Sequence, residues 1–162
     1  MSDTLTIRRA TPDDAPAIAR HRRLMFEAMG FTDPARLDAA ETAAVPWITD
    51  RIAREEYLGW LAVTADGFAA SGAGLWVREF PPGPRDMCGR RGYIFNVYTY
   101  PDFRRRGLAR TLVCRALDWC RDSGINAVTL HASHDGQPIY EAIGFKMNNE
   151  MIIWTADLPH ET

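Results

Sequence analysis

Polar and apolar residues alternate from the start of the chain: Leu5, Ile7 and Arg9 against Thr4, Thr6 and Arg8, the period of two that marks a short strand. Thr11-Pro12-Asp13-Asp14 then reads as a helix start, with a threonine cap, a proline in the first turn and acids at the positive end. Ala15, Ile18, Ala19, Met25, Phe26 and Met29 follow at helical spacing as far as Gly30. A second helical pattern spans 34–56, where Pro46 is expected to break or kink it. Segments 57–65 and 68–80, joined at Asp66-Gly67, predict a β-hairpin whose second strand is weakened by Gly72 and Gly74, a mark of a bulge. A Pro-rich loop runs to about residue 91. The aromatic and β-branched stretch 93–99 then predicts a strand. Beyond it the pattern predicts a helix over 107–123, a strand over 127–132 and a short helix over 138–143. Strands over 145–147 and 151–156, joined at Asn148-Asn149, complete the chain. The order β-α-α-β-β-β-α-β-α-β-β, without repeats or linkers, predicts one mixed α/β domain over 1–162.

Composition narrows the function classes. At 162 residues, 46% hydrophobic and 25% charged, the chain can bury a core without disulfides or metal. The net charge of −2 argues against a general nucleic-acid binder, and no apolar run is long enough to predict a membrane span. No signal-peptide pattern follows the first methionine, and Cys88, Cys114 and Cys120 have no metal-ligand spacing. A reduced, cytoplasmic setting is therefore expected. The histidines likewise show no ligand spacing, so no metal is assigned. Among 19 lysines and arginines only Lys146 is a lysine, and four of the arginines crowd into one short segment.

That segment runs Asn96-Val97-Tyr98-Thr99-Tyr100-Pro101-Asp102-Phe103 and on through Arg104, Arg105, Arg106, Gly107, Leu108, Ala109 and Arg110. A strand leads through a turn into a helix whose start is basic and contains glycine. Helix N-termini offer unpaired N–H groups and partial positive charge, a ready site for phosphate. Gly107 and Ala109 permit close approach, and arginine adds forked donors. A pyrophosphate ligand follows from this chemistry.

Arg104-x-x-Gly107-x-Ala109 resembles the Gln/Arg-x-x-Gly-x-Gly/Ala signature of the GCN5-related N-acetyltransferase (GNAT) family. Pro138-Ile139-Tyr140-Glu141-Ala142-Ile143-Gly144-Phe145 is similar to its Tyr-Glu-x-x-Gly-Phe block. The resemblance covers about residues 5–156 and implies a mixed, mostly antiparallel central sheet flanked by helices, with a splayed pair of central parallel strands. It implies acetyl-CoA as co-substrate and direct transfer of an acetyl group to a primary amine on a small molecule or peptide. The backbone from Arg105 to Arg110 would hold the pyrophosphate. Val97, Tyr98 and Thr99 would pair with the pantetheine arm, and Tyr140 would protonate the leaving thiolate. A phenol suits that role because its ordinary pKa is about 10.

Many relatives place an asparagine before the Tyr-containing helix. Here the stretch is Ser133-His134-Asp135-Gly136-Gln137, leaving Ser133 or Asp135 to make that contact. His131 occupies the slot of a glutamate base in some relatives, and Glu79 is the next candidate. His21, Arg22, Met25, Phe26, Tyr93 and Asn96 are candidate walls of the acceptor pocket, with His21 and His134 read as surface or pocket-lining residues. Loop 80–91 is read as a lid or as a plain hairpin tip. Two other functions stay open: an acyl-CoA-binding regulatory protein without catalysis, and an acyltransferase for longer acyl chains. A homodimer is compatible with the resemblance, which does not decide it.

Overall fold

All seven residues of the strand Tyr57–Val63 are buried, because both of its faces are covered. Leu58, Trp60 and Ala62 point to one layer, while Tyr57, Leu61 and Val63 point to the other. This is β2 of a five-stranded sheet in the computed structural model, which describes residues 4–154. The other strands are β1 (Thr6–Arg9), β3 (Ala69–Glu79), β4 (Arg90–Thr99) and β5 (Val128–Leu130), in spatial order β1-β2-β3-β4-β5. The first three pairings are antiparallel and β4–β5 is parallel.

Helix α3 (Leu108–Asp122) covers one face, burying Leu112, Val113, Ala116 and Cys120 against β2, β3 and β4. Helices α1 (Ala15–Ala28) and α2 (Pro34–Ala53) cover the other, with Ala15, Ile18, Ala19 and Ile48 in the core. A short helix, α4 (Gln137–Ile143), follows β5. Arg23 of α1 ties the helical layer together through Glu27, Asp38 and Glu41. Among the described residues no helix is long and apolar enough to cross a membrane.

Two expectations need correcting. Pro46 does not break α2, which runs through it from Pro34 to Ala53. The missing N–H costs one helix bond, but Ile48 is buried against the sheet just beyond it and Thr49 Oγ1 donates to Val45 O at 2.9 Å. Segments 145–147 and 151–154 are not strands, and residues 155 and 156 lie outside the described residues. Met147, Met151, Ile152 and Trp154 are exposed and lack the cover that would favour sheet pairing. β5 is therefore the last strand of the described sheet, so the parallel pair stands at its edge.

The bulge expected from Gly72 and Gly74 is present, but its extra residue lies on the facing strand. Gly72 pairs with Tyr98 and Gly74 with Phe95, so Asn96 and Val97 of β4 stand opposite Ala73 alone. Asn96 takes φ +53°, a left-handed conformation that asparagine tolerates better than most side chains. Glycine at 74 makes room for a neighbour, since a Cβ there would lie 2.1 Å from Tyr57 Oη.

Candidate active site

β4 and β5 pair only from Gly92–Val128 to Ile94–Leu130. Beyond that point β4 bends at its bulge while β5 ends, and the strands part. Two cavities open along the gap. One, of about 760 Å³, is lined by Tyr98, Thr99, Arg105, Gly107, Ala109 and Arg110. The other, of about 710 Å³, lies under α1 and α2 and is lined by Arg22, Phe26, Trp47, Trp76, Tyr93 and Phe95. Met25, Met29, Val97, Ser133 and Tyr140 line both, so the cavities meet at these five residues.

The first cavity suits a pyrophosphate. Gly107 caps α3 at φ +73°, and Arg105 is also left-handed at φ +61°. The first bond into the helix runs from Thr111 N–H to Gly107 O at 3.0 Å. Leu108, Ala109 and Arg110 thus carry N–H groups without a partner in the helix, directed to its positive end. Left-handed residues placed before such a terminus form the concave amide nest that binds anions. A Cβ at Gly107 would meet nothing within 4 Å, so glycine answers the φ requirement there rather than crowding by the protein.

The arginines divide by role. Arg104 Nε donates to Thr99 O at 3.0 Å and its guanidinium lies over Tyr98, bracing the turn. Arg106 donates to Asp102 O at 3.2 Å and lies over Phe103, so its side chain turns away from the cavity that Arg105 and Arg110 line.

A family model for acetyltransferases of the GNAT family matches residues 13–145. The chain belongs to the GNAT family. The structure of a GCN5-related N-acetyltransferase from Ralstonia eutropha JMP134 is 34% identical, covering 94% of this chain and 99% of that one at a TM-score of 0.87. A predicted acetyltransferase from Clostridium acetobutylicum, solved with acetyl-CoA, is 23% identical over 98% of this chain and 100% of that one, also at 0.87. Glucosamine-6-phosphate N-acetyltransferase from Arabidopsis thaliana shares the fold at 17% identity, covering 93% and 97% of the two chains, with a TM-score of 0.66. A comparison with curated proteins finds no significant match.

Within this GNAT fold Tyr140 is half-buried on α4, its ring edge-on to Phe145 at 6.0 Å. Burial pushes its pKa up, which keeps the phenol protonated at neutral pH. Ser133 Oγ accepts from Gly136 N–H at 3.1 Å, fixing the loop before α4, and Asp135 lines the first cavity beside it. His131 is exposed at the end of β5 and lines the second cavity. Its Nδ1 is 2.6 Å from Tyr93 Oη, and its Nε2 faces Glu150 at 3.9 Å.

Of the six residues expected to wall the acceptor pocket, Arg22, Met25, Phe26, Tyr93 and Asn96 line the second cavity. His21 does not, and it is not a surface residue either. It is buried in the core, with Nε2 2.9 Å from Ala69 O. Its helical neighbours explain the difference: Arg22, Met25, Phe26 and Met29 share one face of α1, while His21 falls on the face packed against the sheet. Glu79 is also displaced. It ends β3 beside a separate depression with Glu55, Glu56 and Arg90. Loop 80–91 borders neither main cavity. Asp86 pins it to the rest of the chain, accepting from Asn126 and from Cys88 N–H at 3.0 Å each.

Trp47, Trp76, Phe95, Ile152 and Trp154 complete the second cavity, although sequence reasoning did not single them out. Trp76 and Phe95 carried a partial signal, as aromatics on the central strands. Among the described residues no group of three or more metal-ligating side chains comes together.

Proposed function

We propose that the protein is an acetyl-CoA-dependent N-acetyltransferase that moves an acetyl group directly to a primary amine. The observation that carries this reading is the meeting of an anion-binding cavity and an apolar cavity at a junction that includes Val97, Ser133 and Tyr140. Acetyl-CoA, when bound, supplies the activated thioester. The amides from Arg105 to Arg110 hold the pyrophosphate, while the exposed edge of Val97, Tyr98 and Thr99 orients the pantetheine arm. The left-handed Asn96 turns the backbone at the bulge toward the cavity junction, where an N–H can steady negative charge on the acyl oxygen. His131, in contact with Tyr93, accepts the proton lost by the attacking amine. Tyr140 holds a proton at Oη and delivers it to sulfur as the C–S bond breaks and the N–C bond forms.

Acetyl-CoA added to the protein is expected to raise Tm through ligand linkage, and an amine screen read by thiol release is expected to register turnover. Tyr140→Phe should keep the Tm shift and lower kcat by roughly 100-fold. In the same assay His131→Ala should lower kcat while keeping the Tm shift. An absent Tm shift at saturating acetyl-CoA would remove the cofactor assignment. Unchanged turnover in the tyrosine variant would remove Tyr140 as the acid, and unchanged turnover in the histidine variant would remove His131 as the base. Thiol release above hydrolysis rejects a binding-only role, and donor competition reads out the preferred acyl length.

A further inference from the structure

Arg22 differs from its neighbour Arg23. Arg23 meets three carboxylates, whereas Arg22 is half-buried and pairs with none among the described residues. Its Nη1 donates to Asn96 Oδ1 at 2.9 Å, and Asn96 in turn lies 3.4 Å from Tyr57 Oη. The guanidinium is stacked over Phe26 at 4.8 Å and reaches Phe95 at 6.0 Å. These contacts fix the plane of the fork. The Nε–Nη2 edge donates to no protein group among the described residues, yet Arg22 lines the apolar cavity of about 710 Å³. The titratable groups that act on it are the phenols of Tyr57 and Tyr93, both kept neutral by burial, so neither supplies a counter-charge.

A half-buried guanidinium without a counter-charge has lost hydration and gained little in return. Burial accordingly pulls the Arg22 pKa down. A planar carboxylate presented to the free edge would accept two parallel hydrogen bonds and supply the missing charge. Met25, Trp47, Trp76 and Phe95 give the cavity a broad apolar and aromatic wall, and no other lysine or arginine lines it.

Building on the acetyltransferase reading above, we infer that the acceptor is an amino acid with a large apolar side chain, whose carboxylate is held by Arg22. Arg22 is then the specificity-determining residue of the acceptor cavity. Trp47, Trp76 and Phe95 receive the apolar side chain, leaving the amino group to face the junction at Tyr140.

The test compares four amino acids, phenylalanine, tryptophan, leucine and methionine, with the amines left when each loses its carboxylate. Thiol release from acetyl-CoA gives kcat/KM for each pair. Binding of the eight N-acetylated products, followed by calorimetry, gives a readout independent of turnover. In at least one pair the carboxylate form is expected to be favoured by about 10- to 100-fold in both measurements. Arg22→Met should collapse that ratio, and Arg22→Lys, which keeps charge but loses the fork, should fall between the two. The Tm shift with acetyl-CoA reports whether each variant is folded and loaded, and the lysine variant carries the comparison if the methionine one does not fold. Turnover with no carboxylate preference in any pair overturns the inference and leaves the acetyltransferase reading standing. A preference that persists in Arg22→Met also overturns it. Carboxylate-selective product binding without thiol release sustains the anion site and instead removes the reaction.

Discussion

His21 packs between Tyr98 and Tyr100, with ring centroids 5.6 and 5.5 Å away. Its Nε2 meets Ala69 O, and its Nδ1 has no partner among the described residues. Protonation would put a charge where neither water nor a carboxylate can answer it, so burial lowers its pKa below the ordinary 6.5. The unfolded chain protonates near 6.5 and the folded one only below that. Between the two values the unfolded state binds more protons, so this contribution to stability is complete above about 6.5 and is lost as pH falls from there toward the folded pKa. Asp14, pulled down by the Arg8 guanidinium, contributes in a separate window below its ordinary 3.8. Thermal melts between pH 7 and 5 should show Tm of the native protein falling more steeply than that of His21→Gln. Parallel slopes would assign the pH dependence elsewhere. Sequence spacing put His21 on α1 correctly but could not say which arc of the helix meets the sheet. The aromatic pair enclosing it comes from the end of β4 and the residue just after it, more than 70 positions along the chain.

At the scale of elements, the segment from β4 into α3 was the most legible, because its chemistry is local. Gly107, Ala109 and the arginines are neighbours in sequence, and a glycine before an amphipathic run already implies a helix start. The hairpin of β2 and β3 was legible for the same reason. The bulge was only half legible. Gly72 and Gly74 mark its place, but the extra residue lies on β4, and glycine at 74 answers instead to Tyr57 from β2, which fills the space a side chain there would need. Gly107 yields the sharpest element-scale prediction. Any L side chain pays about 1–2 kcal/mol in the left-handed region, and no contact at 107 offsets it. Gly107→Ala must either keep φ positive at that cost or rotate the turn and disperse the amides of 108–110. Calorimetric titration with acetyl-CoA is expected to give roughly tenfold weaker binding, with only a small loss of Tm in the free protein. Undiminished affinity would mean that the pyrophosphate is held without this helix start.

The whole molecule is unevenly built. β2 and most of β3 are buried on both faces and held by long antiparallel ladders. β5 has three paired residues, none fully buried, and α4 buries none of its seven. Sequence alone suggested more support here, because 145–147 and 151–156 look like strands joined at Asn148-Asn149. That pattern records apolar residues without saying what covers them, and 147 and 151–154 are exposed. Free energy of local opening follows burial and ladder length, so residues 131–145 should open far more readily than β2 and β3. Yet Ser133 and Tyr140 from this weak edge complete both cavities with Val97 from the strong centre. A ligand spanning the gap must hold the edge against the centre, and its binding energy appears there as resistance to opening. Hydrogen exchange read by mass spectrometry should find peptides from 131–145 exchanging early in the free protein and at least tenfold more slowly with saturating acetyl-CoA. Peptides from β2 and β3 should change little. Protection confined to 104–111, with 131–145 still exchanging early, would place the ligand on the helix start alone and detach Tyr140 from the thioester.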